Sequence, residues 1–167
     1  MDLEDLNLEG VRGFMAEEVE LDVAKDTLYM SKRLKPGYGG IYTALLQDAV
    51  IDGDTNTLGQ CILDKNCLKS MERGRNVPWN AHITLSEGEF NKFYCRGVCR
   101  KAIEEGHELE VYRAKQVDRP RSSSLALIGR IVDPEQLLTD LRKNSGIDTA
   151  LGIPAGPNSG LSVRIKK

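Results

Sequence analysis

Aromatic side chains make up only 5% of these 167 residues, so any core must be built mostly from Leu, Val, Ile and Ala. No run of about 18 apolar residues is present, which excludes a membrane-spanning helix. The acidic start also lacks the basic and apolar regions of a signal peptide. Cys61, Cys67, Cys95 and Cys99 include no Cys-x-x-Cys pair. In a chain without an export signal they read as free thiols in a reducing compartment.

The rest of the composition is that of a globular protein, with 40% hydrophobic and 29% charged residues. A chain of this length buries roughly two-thirds of its unfolded surface without a staple. The net charge of −2 argues against a general DNA-coating protein, but the charge is unevenly spread. Residues 1–30 hold nine acids and two bases, whereas residues 65–121 hold twelve bases and eight acids. Such polarity suits head-to-tail self-association, with residues 1–35 as an acidic N-terminal arm.

Local patterning predicts an α+β fold of four to five helices packed with a small, mainly antiparallel sheet, in one domain over 1–167. A short helix is expected over 6–19 on Leu8, Val11, Met15 and Val19, followed by a stretch through Met30 that reads as extended rather than as a hairpin. A second helix runs from Ile41 to about Gly53, and Asp54 caps a third through Leu63. The basic stretch 65–75 reads as a mobile loop. Ser86-Glu87-Gly88-Glu89 has the capping-box pattern and is expected to start a long central helix that Gly106 ends. Leu109 and Val111 alternate with charges, as in a half-buried strand. Asp133-Pro134 starts another helix, and Leu161, Val163 and Ile165 alternate along a terminal strand after the turn-rich loop 152–160.

Gly40-Ile41-Tyr42 matches the tripeptide that names a nuclease family, but no Tyr-Ile-Gly partner follows it. Glu108, Glu110 and Lys115 supply the residue types of a Mg-dependent nuclease. Strand alternation turns the two acids one way and the lysine the other. Cys95 and Cys99, at i and i+4, are half a metal site at most, and small buried hydrophobes are the simpler reading. No catalytic residue, metal ligand or cofactor site is therefore assigned.

Lys92, Arg96 and Arg100 fall on one helical stripe and, with Arg73, Arg75, Arg113, Lys115, Arg119 and Arg121, form a candidate basic face for phosphates or partner carboxylates. The competing reading has Arg100 paired with Glu104 and the rest solvated. The absence of interleaved aromatics argues against single-strand binding. Neither histidine has a spacing that ties it to Ser122, Ser123 or Ser124 as a nucleophile. The terminal strand, through Leu161, Val163 and Ile165, is the second candidate partner-binding element, by addition to a neighbour's sheet edge.

Val77-Pro78-Trp79-Asn80-Ala81, the run 84–91, Glu110 to Lys115, and Gly156-Pro157-Asn158-Ser159-Gly160-Leu161-Ser162-Val163-Arg164 together resemble an uncharacterised family of phage and prophage proteins. The resemblance is strongest over 77–115 and 156–164. It implies a bacteriophage context and a virion structural or assembly protein, at the head-to-tail neck or on the capsid. Such a protein is a homo-oligomer that contacts other virion proteins, made in the host cytoplasm and residing in the virion. The readings from other classes are a phage-encoded Mg-dependent nucleic-acid enzyme and a small host-factor-binding regulator.

Overall fold

The computed structural model describes residues 1–144 and 160–166. Its organising element is the helix α4 (Ala81–Glu105), which α1 (Val11–Ala24), α2 (Gly39–Asp52), α3 (Thr55–Asp64) and α6 (Pro134–Lys143) surround. A three-stranded antiparallel sheet closes the remaining side. Its order is β4 (Ile131–Val132), β3 (Leu109–Arg113), β5 (Leu161–Ile165), with Val111 opposite Val163. A separate hairpin, β1 (Met71–Glu72) and β2 (Arg75–Asn76), stands away from it, and the single turn α5 (Ser122–Leu125) precedes β4. Among the described residues six helices, where four to five are expected, and two small antiparallel sheets make up the expected α+β architecture.

Several local signals act as their chemistry requires. The Asp54 carboxylate accepts from Thr57 N at 2.7 Å and starts α3, and Asp133 accepts from Gln136 N at 2.7 Å with Pro134 just inside α6. Gly106 ends α4 in the left-handed conformation at φ 71.

The capping box does not operate. α4 begins at Ala81, nearly two turns earlier, and the Ser86 hydroxyl donates back to the Ile83 carbonyl at 3.0 Å inside the helix. The first helix also departs from expectation, starting after Gly10 and running on through Ala24, so 21–24 are helical rather than extended. Nor do residues 1–35 form an arm. Leu3 and Leu6 are buried, Asp2 N donates to Ala114 O at 2.7 Å, and Asp5 N donates to the Tyr94 hydroxyl at 3.1 Å. The basic stretch 65–75 is no loose loop. Leu68 bridges Leu34, and the hairpin turns tightly at Arg73 and Gly74, both at positive φ as a two-residue hairpin turn demands.

α4 is buried on every side from Leu85 to Cys99. Close approach at two glycines makes this packing feasible. A methyl at Gly97 would lie 2.7 Å from Met15 Cγ and 2.9 Å from Val11 O of α1, and one at Gly59 would lie 2.9 Å from Ser86 Oγ. One hydrophobic cluster extends from Leu3 to Ile165 around this axis. Among the described residues no helix is long and apolar enough to cross a membrane.

Candidate functional site

The basic stripe lies in the interior. Lys92 and Arg96 are 2% and 1% exposed. Arg96 Nε donates to Glu18 Oε2 at 2.8 Å, and its two terminal nitrogens hold both oxygens of Asp22. Arg142 reaches the same Glu18 from α6, its Nε donating at 3.0 Å. Arg100 pairs with Glu17 at 2.6 Å and lies over the Phe14 ring, while Glu104 is taken by Lys101. Lys92 holds Glu89 at 2.6 Å. The acidic helix of the N-terminal stretch and the basic stripe are therefore the two sides of one internal seam. Burial works to raise the Glu18 carboxyl, and Arg142 and Arg96 together overcome it, holding it below its ordinary 4.5. At Glu89 the balance is reversed: burial outweighs Lys92 and pushes the carboxyl up.

The terminal strand is equally closed to partners. Leu161, Val163 and Ile165 are buried, and their backbone groups face away from β3 because residues 160 and 166 make the ladder hydrogen bonds. Side chains fill that outer edge. Asp5 accepts from Ile165 N at 2.6 Å, Asn91 donates to Leu161 O at 3.0 Å, and the Val163 backbone bonds the Cys95 sulfur. A strand added here would have to displace all three. The outcome corrects the expectation that Lys92, Arg96, Leu161, Val163 and Ile165 are offered to partners.

The remaining chemistry-bearing residues are held separately. Glu110 pairs with Arg164 at 2.9 Å, Glu108 with Lys166 at 3.2 Å, and Lys115 with Glu87 on α4 at 2.6 Å. Cys95 and Cys99 are buried thiols, Cys95 pushed up to about 11 by its burial. His82 is in the first turn of α4 and His107 lies just past its C-terminal Gly106, so the 25-residue helix, about 37 Å long, separates them. Among the described residues no three His, Cys, Asp or Glu side chains converge as a metal site would need.

The exposed chemistry is elsewhere, at a groove of about 450 Å³ between the end of α3, the hairpin base and the first turn of α4. Lys35, Asn66, Lys69, Pro78, Trp79 and His82 are among its lining residues. Trp79 is 84% exposed, and Leu63 on the same rim is 50% exposed. The hairpin rises from the groove wall, where Val77 N donates to Ser70 O at 2.9 Å. The segments 31–38 and 65–76 carry seven bases and one acid, Glu72, which Arg33 already holds at 3.3 Å. Lys32, Lys65, Lys69, Arg73 and Arg75 have no acid within ion-pair distance among the described residues. The charge run was visible in the sequence, but only the fold brings the chain's single tryptophan to it.

This is an α+β protein with a charged central helix enclosed over 85–99 and, among the described residues, a basic, aromatic-edged groove. No family model matches the chain, and neither the curated proteins nor the solved structures contain a significant match.

Proposed function

We propose that this chain is a structural and assembly protein of a bacteriophage particle, a neck or capsid-associated component that forms homo-oligomers and acts by docking. The observation that carries the reading is the division of its charge. Interior ionisable groups such as Glu18, Asp22, Glu89, Lys92 and Arg96 engage one another, while Lys35, Lys69 and the exposed Trp79 line one groove. An arrangement of that kind is a rigid body with one prepared face. Glu9, Glu20 and Asp26 are exposed acids outside the groove lining and are available to a neighbouring subunit. The phage context comes from the sequence resemblance.

The nuclease reading gains nothing comparable, because Glu108, Glu110 and Lys115 are taken by three different partners. Light scattering on the purified protein, alone and mixed with phage head and neck proteins, tests the proposal. A ring or a stable heterocomplex is expected. A monomer in both samples would overturn it.

A further inference from the structure

We infer that the groove beside Trp79 binds a single-stranded nucleic acid, with a base stacked on the indole and phosphates on the surrounding cations. The inference deepens the docking reading, since it rests on the same groove, but it does not depend on the phage context.

Three features of the groove select this ligand. The first is charge: Lys35 and Lys69 line it, and Lys32, Lys65, Arg73 and Arg75, in the segments that lead into that lining, have no acid within ion-pair distance among the described residues, so bases outnumber acids there. The second is the ring. Trp79 leaves 84% of its surface in solvent, although an indole of this size is normally among the most buried side chains. Stacking by an unpaired base covers such a ring irrespective of base identity. The third is size and lining. A space of about 450 Å³ is in the range of small-ligand sites, and Asn66 and Ser70 add neutral hydrogen-bonding groups among Lys35, Lys69 and His82.

An acidic protein segment would satisfy the cations but has no aromatic face to offer the indole. A duplex keeps its bases stacked inside and leaves Trp79 uncovered. A single strand engages both the cations and the ring. Arg73 adds a local argument. It occupies a left-handed position, φ 51, that Asn or Gly fills at lower cost, so an arginine there trades backbone comfort for a cation at the hairpin tip.

Trp79 is the only tryptophan in the chain, so its fluorescence reports on this groove alone. Titration with a twelve-residue oligothymidylate and the matching oligouridylate is expected to give saturable quenching with at least one of them, the tighter strand identifying the preferred sugar. The affinity should fall with NaCl, by about 0.7 in log K per log salt for each phosphate engaged. For the variants, anisotropy of a fluorescein-labelled oligonucleotide gives the readout. Trp79→Ala should weaken binding about tenfold, and Trp79→Phe should retain most of it. Arg73→Ala with Arg75→Ala should lessen the salt slope by about 1.4. All these side chains are exposed, so the variants are expected to fold, which a circular-dichroism melt checks.

No saturable binding of either strand at low salt would overturn the inference. So would polyglutamate quenching Trp79 as strongly as the oligonucleotides, which would assign the groove to an acidic protein. Strand binding without assembly into particle complexes would sink the phage reading and leave the groove assignment standing. Assembly without strand binding would do the reverse.

Discussion

The guanidinium of Arg96 forks onto the Asp22 carboxylate, Nη1 to Oδ2 at 2.7 Å and Nη2 to Oδ1 at 2.9 Å, with both side chains almost entirely out of water. This pair ties the central helix to α1. Arg96→Met leaves Asp22 as an unpaired buried charge, and the expected loss is about 3–5 kcal/mol of unfolding free energy. Adding Asp22→Asn should return part of it. Lys166→Met, which breaks a pair exposed on both sides, 46% and 64%, should cost less than about 1 kcal/mol. Urea denaturation of the variants compares them.

The stability of the same seam depends on pH. Because Glu18 is held below its ordinary value, the folded chain releases this proton more readily than the unfolded one. The Glu18 contribution is complete above the unfolded value, and is lost as pH falls through the lower folded value. Glu18→Gln should therefore flatten the acid side of the stability curve, measured as urea midpoints between about pH 7 and pH 3. Glu89 has the opposite sign, since burial raises it, and Glu89→Gln should not flatten that limb.

Tyr42 is fully buried, and its hydroxyl has no hydrogen-bond partner among the described residues. Burial also pushes its ionisation well above the ordinary tyrosine value. A neutral donor left without a partner costs about 1–3 kcal/mol, so Tyr42→Phe should stabilise the fold by about 1 kcal/mol. Thermal and urea unfolding read the gain.

Two glycines at neighbouring positions should respond in opposite directions. Gly97→Ala places a methyl against the Val11 carbonyl and Met15, and should cost about 1–3 kcal/mol. Gly13, inside α1, has nothing within 4 Å of an added methyl, and Gly13→Ala should gain about 0.5–1 kcal/mol. Unfolding curves for the two variants test the account of α1 against α4.

Signals that act within one or two turns were legible in the sequence. Asp54, the Asp133-Pro134 pair, Gly106 and the alternation of Leu161, Val163 and Ile165 each mark an element that forms where expected. What misled was the assumption that charge marks surface. Glu87, Glu89, Asn91, Lys92 and Arg96 occupy a helix enclosed on all sides, each with a partner from Asp22, Lys115, Ser162 or its own helix. Helical periodicity has no outward face to report when every face is covered. The pattern Ser86-x-x-Glu89 failed for a related reason: a hydroxyl inside a helix has the preceding turn's carbonyl as its nearest acceptor. The loop 152–160 lies outside the described residues except for Gly160, as does the part of the 156–164 resemblance before it.

The groove was hidden differently. Its bases were visible as a run over 65–75, but strands of two residues carry no alternation, so the hairpin that orders them left no pattern. Trp79 stood outside that run. Pairing of 31–38 with 67–69, at Lys35 N to Cys67 O and Lys69 N to Arg33 O, is a long-range contact that no local rule supplies.

Docking through the face around Trp79 is the proposed mode of action. Amide hydrogen exchange, measured on the free protein and on the protein assembled with phage head and neck proteins and single-stranded nucleic acid, tests it most directly. New protection is expected over 31–38 and 65–82, while 87–100 exchanges slowly in both states. Unchanged exchange over 31–38 and 65–82 in the assembled sample would contradict it.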